Sequence, residues 1–408
     1  MKCRFCNNNV NIELIDLINS PASNSYLTQE QLNAPEVYYP LKVFICNTCF
    51  LVQVEEFKSF DSIFDNNYAY FSSYSTSWLA HCKNYVDKMI NDLKLDEKSQ
   101  VVEIASNDGY LLQYFLPHQI KVLGIEPTKN TADVAILKGI PCITEFFGEK
   151  LANELSKKGR QADLLIGNNV LAHVPDINDF VKGLKILLSK FGTITMEFPH
   201  LIELIENNQF DTIYHEHFSY LSLYSVKQIF EKQGLTVFKV DILKTHGGSI
   251  RVYATHIERN IEIDISVINL YEKEIAVGVN KIEYYSGFQE KALKIKLDLL
   301  NFLINQKKNS KKVVGYGAAA KGNTLLNYCG VKNDLLEFVV DANPNKQDKF
   351  LPASHIPIFS EKKLKELKPD YVLILPWNLK NEIIEQLSYI KEWGGKFVVP
   401  IPYLEIIE

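Results

Sequence analysis

One segment of the chain indicates its fold class most clearly: Val101-Val102-Glu103-Ile104-Ala105-Ser106-Asn107-Asp108-Gly109-Tyr110. Its first four residues predict a buried strand, and the apolar residues that follow the turn predict a helix over 110–115. Between them, Gly109 and neighbours that tolerate a positive φ let the backbone turn sharply and approach a ligand. Because ligands of open α/β sheets bind at the carboxyl ends of the strands, this turn is a candidate binding site.

Short apolar runs and helical segments alternate around this turn. Further strands are expected at 121–125, 162–166 and 192–196, and helices at 77–95, 179–188 and 225–233. Two more strands, 235–243 and 249–254, are joined through Thr245-His246-Gly247-Gly248. The pattern predicts an α/β fold with a doubly wound, Rossmann-like parallel sheet, closed by a late hairpin as in methyltransferase domains.

A second, smaller Rossmann-like region is predicted near the C-terminus. After a mostly helical stretch at 261–309, the run 312–322 has the pattern of a strand, a Gly-rich turn and the start of a helix. Strands are expected to follow at 337–340, 371–375 and 396–399. We therefore expect an N-terminal module at 1–67, a methyltransferase domain at 68–260 and a C-terminal α/β domain at 261–408.

Four of the seven cysteines form two C-x-x-C pairs, Cys3/Cys6 and Cys46/Cys49. Each pair directs two thiolates at one point, which favours a tetrahedral zinc site. With four sulfur ligands the ion has no open position for water, so its role is expected to be structural. The alternative is two unrelated pairs of free thiols. Cys82, Cys142 and Cys329 are expected to be ordinary buried thiols.

The composition excludes several classes of protein. The 408 residues are 46% hydrophobic and 23% charged, which excludes a disordered chain. A net charge of −5 offers no broad positive surface, so nucleic acid is not an expected partner. No apolar run reaches the roughly 18 residues that span a bilayer, and the N-terminus lacks a signal peptide's apolar segment, so we expect a cytoplasmic protein. The oligomeric state stays open, and a monomer is compatible with the sequence.

The turn at 103–109 and the end of the next strand suggest a cofactor site. The turn resembles the E/D-x-G-x-G-x-G motif of S-adenosylmethionine enzymes, with Ala105 and Asn107 replacing two glycines. Glu126 ends the following strand, where a carboxylate can accept hydrogen bonds from both ribose hydroxyls; the alternative is a surface carboxylate. No extra basic cluster accompanies the turn, which favours a sulfonium cofactor over a dinucleotide. The candidate cofactor-binding residues are Glu103, Ala105, Ser106, Asn107, Asp108, Gly109, Tyr110, Glu126, Pro127, Asn168 and Asn169.

The run Tyr214-His215-Glu216-His217 concentrates titratable groups and indicates either metal binding or acid/base chemistry. It differs from H-E-x-x-H because its histidines are two apart and would not share one helical face, so a proton shuttle is favoured. In an extended segment Tyr214 and Glu216 would share one face, but a turn would break this alternation. The alternative is a polar network that locks a loop onto the sheet.

The ordered series of motifs resembles one family: the S-adenosylmethionine-dependent C-methyltransferases that tailor nucleotide-linked deoxysugars. The resemblance covers nearly the whole chain. Its motifs are the four N-terminal cysteines, Tyr68-Ala69-Tyr70-Phe71-Ser72-Ser73-Tyr74-Ser75, the turn at 103–110, Asn169-Val170-Leu171-Ala172-His173, Tyr214-His215-Glu216-His217-Phe218-Ser219-Tyr220, His246-Gly247-Gly248-Ser249-Ile250-Arg251 and the Gly-rich run 315–324.

The resemblance implies a substrate, a reaction and residue roles. A carbon next to the ketone of a nucleotide-linked 4-keto-6-deoxyhexose would be deprotonated and then methylated. His217 is implied as the general base, Tyr214 and Glu216 as its supports, and Tyr68 and His173 as other walls of the pocket. The C-terminal domain is implied to hold the nucleotide diphosphate. The implied substrate-binding residues are Tyr74, Arg251, Gly315, Tyr316, Gly317, Ala318, Ala319, Lys321, Asn323, Thr324 and Asp341.

Physical chemistry supports part of this assignment. An enolate needs a base near neutral pKa and hydrogen-bond donors on the developing oxyanion, which histidine and tyrosine supply. The second Gly-rich turn offers backbone N–H groups to a diphosphate, although close strand–helix packing without a ligand is an alternative. Two other functions stay open at this point: O-methylation of a sugar hydroxyl, and a non-catalytic nucleotide-sugar-binding scaffold.

Overall fold

The computed structural model describes residues 1–57 and 71–408. Within these residues the strands form three β-sheets, which we call the N-terminal, central and C-terminal sheets. The N-terminal sheet is antiparallel, and its strands lie in the order β1-β2-β3-β9. Its strands are β1 (Ile12–Ser20), β2 (Tyr39–Ile45), β3 (Val52–Val54) and β9 (Ser219–Tyr220).

The central sheet is the predicted doubly wound sheet. Its described strands are β4 (Gln100–Ile104), β5 (Lys121–Ile125), β6 (Cys142–Ile143), β7 (Ala162–Asn168), β8 (Leu188–Pro199), β10 (Leu235–Leu243) and β11 (Ser249–His256). The spatial order is β10-β11-β8-β7-β4-β5-β6. The hairpin β10–β11 is antiparallel and pairs with β8, while β8, β7, β4, β5 and β6 are parallel. The order reverses beside β4, which places a ligand crevice at its carboxyl end.

The C-terminal sheet is the predicted second α/β layer. Its described strands are β12 (Val313–Tyr316), β13 (Val339–Val340), β14 (Ile358–Phe359), β15 (Tyr371–Ile374), β16 (Lys396–Val399) and β17 (Glu405–Ile407). Their order is β14-β13-β12-β15-β16-β17, parallel except for the pair β16–β17. The α/β fold class with two Rossmann-like layers is therefore confirmed.

The helices lie mainly between these strands. In chain order the described α-helices are α1 (Thr76–Leu93), α2 (Lys129–Leu137), α3 (Glu149–Lys157), α4 (Ile177–Leu187), α5 (Leu201–Glu206), α6 (Leu223–Lys232), α7 (Ile265–Val277), α8 (Phe288–Lys308), α9 (Ala320–Cys329), α10 (Lys362–Leu367) and α11 (Lys380–Gln386). Helix α1 begins where the Ser75 hydroxyl accepts a hydrogen bond from the Trp78 N–H. None of the helices in the described part of the chain is both long and apolar enough to cross a membrane.

One predicted element is wrong. The segment expected as a helix over 110–115 instead forms two short 3₁₀ turns, Leu112–Tyr114 and Leu116–His118. Pro117 has no N–H group to continue the i→i−4 hydrogen bonds of an α-helix. Leu111, Leu112 and Phe115 are buried, whereas Gln113 and Tyr114 are partly exposed.

The N-terminal module connects the other two layers. Its zinc-ligand region packs on the central sheet, since Cys3 and Leu51 share a buried cluster with Val102. Its own sheet packs instead on the C-terminal region, where Val43 shares a core with Phe302. The loop between β1 and β2 therefore lies where the carboxyl ends of the central strands face the C-terminal sheet.

Helix α7 lies beyond residue 260 but packs with the central sheet. Val267 and Leu270 belong to the buried cluster of that sheet. The Val240 N–H donates a hydrogen bond to the Ser266 hydroxyl at 3.1 Å, which joins the helix to β10. The packed unit built on the central sheet thus includes residues to at least 270.

Candidate active site

A cavity of about 430 Å³ opens at the carboxyl ends of the central strands. All three regions of the chain contribute to its wall: Asn24 from the turn after β1, Glu126 and His217 from the central region, and Lys321 and Lys346 from the C-terminal region. Its volume falls within the roughly 300–1,000 Å³ typical of ligand pockets. The predicted site residues that border this cavity are Ala105, Asn107, Tyr110, Glu126, Pro127, Asn168, Asn169, His173, Tyr214, Glu216, His217, Ala319 and Lys321.

The turn after β4 has a left-handed backbone at every second residue. The φ angles are 58° at Ala105, 47° at Asn107 and 74° at Gly109. These are the positions at which the resembling motif has glycine, so the backbone shape is kept although two glycines are replaced. Gly109 is the position with least space, because a Cβ there would lie 2.4 Å from the Cδ1 of Ile140.

Glu126 fastens this turn while bordering the cavity. Its carboxylate accepts hydrogen bonds from the N–H groups of Asn107 and Thr128, both at 2.9 Å, and from the Thr128 hydroxyl. Burial raises the pKa of Glu126, and the hydrogen bonds from Thr128 and Asn107 oppose that shift. The carboxylate is therefore positioned to accept hydroxyl hydrogen bonds from a ligand in the cavity.

Glu103 lies completely buried at the end of β4. Within the part of the chain that the structure describes, neither carboxylate oxygen has a hydrogen-bond partner. Burial raises the pKa of Glu103 well above its usual value, and the nearby Tyr110 hydroxyl works against this shift. Glu103 does not border the cavity, so it belongs to the support of the turn. Glu126 does border the cavity, and its carboxylate suits the ribose hydroxyls of S-adenosylmethionine.

His217 has the geometry of a neutral base. Its Nδ1 lies 2.9 Å from the carbonyl oxygen of Thr212, which assigns the ring proton to Nδ1 and leaves Nε2 unprotonated. A turn closed by the His217 N–H on the Tyr214 carbonyl, at 2.9 Å, orients the ring. Burial lowers the pKa of His217 well below its usual value, with His173 and Lys321 adding to the shift. At neutral pH the imidazole is therefore uncharged and able to accept a proton.

Aromatic and polar side chains surround this base. The ring centroids of Tyr214 and His173 lie 4.0 and 4.6 Å from that of His217. Burial lowers the pKa of His173 to about 4, so it is neutral as well. The side-chain amide of Asn24 donates hydrogen bonds to both oxygens of Glu216, at 2.8 and 3.0 Å. The N-terminal module thus reaches the same chemical cluster.

The structure separates the two histidines of the Tyr214–His217 run. His215 turns away and packs edge-on against Tyr39, with its Nε2 3.1 Å from the Pro40 carbonyl oxygen. The turn at 215–216 breaks the alternation that an extended segment would have had. Tyr214, Glu216 and His217 all border the cavity, whereas His215 does not.

Two lysines of the C-terminal region border the cavity in different settings. The Lys321 Nζ donates to the Asn378 side-chain oxygen at 2.6 Å and lies 4.7 Å above the Trp377 ring. The Lys346 Nζ donates to the Ala318 carbonyl at 2.7 Å, on the Gly-rich turn itself. Lys346 belongs to no sequence motif, so only its place in the loop after β13 could have indicated that it borders the cavity.

Asp341 acts on the backbone of the Gly-rich turn. Its carboxylate accepts the N–H of Ala318 at 2.7 Å and that of Asn343 at 2.8 Å. Gly315 lies in β12, and Gly317 and Ala318 form the turn that follows it. The Tyr316 hydroxyl donates a hydrogen bond to Glu361 at 2.6 Å. A Cβ at Gly322 of α9 would lie 2.9 Å from the Cβ of Leu375, which follows β15, so the close strand–helix packing that the sequence left open is also present.

Some predicted substrate residues lie away from the cavity. Arg251 forms a buried ion pair with Glu197, and Tyr74 is 55% exposed. Asn323 and Thr324 hold helix α9 in place: their side chains donate to the carbonyls of Ser23 at 2.6 Å and Ile213 at 2.8 Å. Tyr68 lies outside the described residues. Of the predicted cofactor residues, Glu103, Ser106, Asp108 and Gly109 lie within or beneath the turn rather than at the cavity surface.

Sequence reasoning missed several residues of the cavity wall. Trp78, on α1, stacks on Tyr110 with ring centroids 5.9 Å apart. The side chain of Asn169 donates to the Nε2 of His246 at 2.9 Å, and burial lowers the pKa of His246 to about 4. His246 belongs to the motif at 246–251, whereas Asn24, which also borders the cavity, belongs to none.

The four N-terminal cysteines meet at one point. The Sγ atoms of Cys3 and Cys49 are 3.6 Å apart and those of Cys6 and Cys46 are 3.5 Å apart, with all four within 4.8 Å of one another. Sulfurs that bind zinc tetrahedrally at about 2.3 Å lie about 3.8 Å from one another. The cluster therefore fits a structural zinc ion, and the alternative of unrelated thiols is wrong.

Comparisons with known proteins agree with this arrangement. Family models match the chain at three places: a zinc binding domain over 3–64, a methyltransferase domain over 78–240 and a C-methyltransferase C-terminal domain over 244–402. Together with the order of the central sheet, these matches define an S-adenosylmethionine-dependent methyltransferase with a zinc module. S-adenosylmethionine and zinc are thereby confirmed as the expected cofactors.

A curated relative identifies the family. The C-methyltransferase NovU of Streptomyces niveus is 34% identical over 406 residues, spanning 100% of this chain and 96% of NovU. The chain belongs to this family of C-methyltransferases. It therefore catalyses methylation at carbon, as the resemblance implied.

Solved structures show more distant likeness. An S-adenosylmethionine-dependent methyltransferase from Clostridium acetobutylicum has 11% identity and a TM-score of 0.36, over 44% of this chain and 92% of its own. The magnesium protoporphyrin IX methyltransferase of Synechocystis PCC 6803, with bound SAH, has 14% identity and a TM-score of 0.34, over 44% of this chain and 83% of its own. At TM-scores this low, the likeness adds nothing to the assignment.

Proposed function

We propose that the enzyme transfers the methyl group of S-adenosylmethionine to a carbon next to the ketone of a nucleotide-linked 4-keto-6-deoxyhexose, and so acts in deoxysugar biosynthesis. The observation that carries this proposal is His217: a buried, neutral imidazole with its unprotonated Nε2 in a cavity between cofactor turn and C-terminal region. A neutral imidazole in this position can accept the proton that must leave the carbon beside the ketone before that carbon is methylated.

The reaction has two steps, removal of a proton from carbon and transfer of the methyl group, and different residues would serve each step. His217 would take the proton on Nε2, and the Tyr214 hydroxyl and Glu216 would position the sugar beside it. S-adenosylmethionine supplies the electrophilic methyl group, held by the turn at 103–109 with Glu126 toward its ribose. Reacting atoms must approach within about 3 to 3.5 Å, and a cavity that is closed on several sides favours this alignment.

The nucleotide part of the substrate is expected at the Gly-rich turn. The start of α9 at Ala320 and the ammonium of Lys346 lie beside the turn, and both favour an anionic diphosphate there. Ala319 borders the cavity at the same place. We keep Gly315, Gly317 and Asp341 as the residues that shape this subsite, rather than as direct ligands.

Location and domain organisation complete the proposal. Four clustered thiols that bind zinc favour a reducing, cytoplasmic compartment. We keep the three-part division with the N-terminal module at 1–67, and move the boundary after 260 to beyond helix α7, because Val267 and Leu270 pack in the methyltransferase core.

The direct test is a mass-spectrometric screen of dTDP- and GDP-linked 4-keto-6-deoxyhexoses with S-adenosylmethionine. We expect one added methyl group, and a carbon branch in the NMR spectrum of the hydrolysed sugar. An added methyl on oxygen, or the absence of any methylated nucleotide sugar in the screen, would contradict the proposal. Matched reactions with His217→Gln should yield no product.

A further inference from the structure

Lys321 lies at the histidine end of the cavity. It is the second residue of α9, and its Nζ is held between the Asn378 side-chain oxygen at 2.6 Å and the face of Trp377 at 4.7 Å. Lys321, His217 and His246 all border the same cavity. The charge of Lys321 also lowers the pKa values of both imidazoles, in keeping with this shared wall.

The same contacts connect Lys321 to the base. The indole N–H of Trp377 donates to the Asp211 carboxylate at 2.7 Å. The next residue, Thr212, supplies the carbonyl that holds the Nδ1 of His217 at 2.9 Å. A cation–π contact, two hydrogen bonds and the peptide bond between Asp211 and Thr212 therefore link the cation to the base. Fixed groups of this kind favour a reaction that separates charge.

Lys346 borders the cavity at the Gly-rich turn. Its Nζ donates to the Ala318 carbonyl and lies 5.4 Å from the centre of the Tyr26 ring, whose hydroxyl donates to the same carbonyl. A diphosphate bound at the Gly-rich turn thus has a lysine of its own. Lys321 is therefore not needed to bind the diphosphate, and its charge can stabilise an anion that forms near His217.

We propose that Lys321 is a catalytic residue: its Nζ donates a hydrogen bond to the ketone oxygen and stabilises the enolate formed when His217 removes the adjacent proton. This inference rests on the proposed function and replaces the implied diphosphate role of Lys321. The C–H bond breaks, its proton moves to Nε2 of His217, and its electron pair forms the C=C bond while the C=O pair moves to oxygen. The enolate carbon then attacks the methyl group, the sulfur–methyl bond breaks, and its electron pair stays on sulfur. His217 later releases the proton to solvent.

The test separates this role from diphosphate binding. Solvent deuterium exchange at the carbon beside the ketone is measured without S-adenosylmethionine, with dTDP-4-keto-6-deoxyglucose at varied concentration. In Lys321→Met we expect a fall of about 100-fold in the saturated exchange rate, as for the loss of one oxyanion donor, with KM changed far less. Lys321→Arg should recover part of the rate. The matched variant Lys346→Met should instead raise KM more than it lowers the saturated rate.

The pH profile of the exchange rate is a second measurement, and it distinguishes the loss of the Lys321 charge from a general loss of folded enzyme. Removing the cation at 321 should raise the pKa of His217, so the acid limb of the exchange profile moves to higher pH in Lys321→Met but not in Lys346→Met. A Lys321→Met enzyme with wild-type saturated exchange, a raised KM and an unmoved profile would overturn the inference. If the wild-type enzyme itself shows no exchange, the proposed function fails rather than the role of Lys321 alone.

Discussion

The indole N–H of Trp377 donates a hydrogen bond to the carboxylate of Asp211 at 2.7 Å, which joins the C-terminal sheet to the segment that carries His217. Both side chains are buried. Gly247 leaves room for the indole, because a Cβ there would lie 2.4 Å from the Trp377 ring. Burial raises the pKa of Asp211 to about 7, and the charge of Lys321 opposes that shift. A contact between two regions of the chain therefore holds the segment that carries His217.

We expect Trp377→Phe to lower the free energy of unfolding by about 1–3 kcal/mol, because Asp211 stays buried without its donor. Urea denaturation measures this change. The saturated exchange rate should fall as well, since Asp211 precedes the residue that orients His217. Trp393→Phe is the matched control: its N–H donates to the Pro369 carbonyl at 3.0 Å, away from the cavity. Equal losses in the two variants would contradict a special role for the Asp211 contact.

Acid should destabilise the protein through its buried neutral histidines. His173 and His246 have pKa values of about 4 in the folded state, below the value of about 6.5 expected when unfolded. Between these values the unfolded chain binds more protons, so the free energy of unfolding decreases as the pH falls from about 6.5 toward about 4. Urea midpoints measured at intervals across this range test the effect. His173→Gln should flatten the decrease, whereas the exposed control His118→Gln should leave it unchanged.

The purified protein should contain one zinc ion per chain. Metal analysis should show its loss in Cys49→Ser and its retention in Cys142→Ser, since Cys142 lies outside the cluster. Loss of zinc should also weaken substrate binding, because Asn24 and Tyr26 reach the cavity region from the same module. Full zinc content in Cys49→Ser would be incompatible with a four-cysteine site.

Glu126→Gln should weaken binding of S-adenosylmethionine. Hydrogen bonds to a charged group contribute about 1.5–3 kcal/mol, which corresponds to roughly a 10- to 100-fold rise in Kd. Calorimetry with the purified enzyme gives this value directly. Glu154→Gln, at an exposed position of α3, is the control and should bind the cofactor like the wild type. Wild-type affinity in Glu126→Gln would remove this carboxylate from the cofactor site.

Local sequence patterns predicted the parts of the fold that depend on local chemistry. Apolar runs such as 121–125 and 162–166 form buried parallel strands, because a strand covered on both faces must be apolar throughout. Ala105 and Asn107 adopt the left-handed backbone of the glycines they replace. The prediction of a helix over 110–115 was wrong, because the same apolar residues also pack in short 3₁₀ turns and Pro117 prevents an α-helix from continuing.

Other features depend on contacts between distant residues. Asn24 and Glu216 are 192 positions apart, yet they are hydrogen-bonded at the cavity. No periodicity predicts such an approach, and the same holds for Lys346 on the Ala318 carbonyl. Arg251 was expected from its motif to bind the substrate. Its side chain instead forms a buried ion pair with Glu197, a contact that the motif does not predict.

The central claim is that His217 removes a proton from the carbon that becomes methylated. The most direct measurement is deuterium exchange from D₂O into a 4-keto nucleotide sugar, with enzyme and without S-adenosylmethionine. We expect exchange by the wild-type enzyme, its loss in His217→Gln, and its retention in His215→Gln, whose side chain lies against Tyr39 instead of the cavity. Exchange that persists undiminished in His217→Gln would contradict the account.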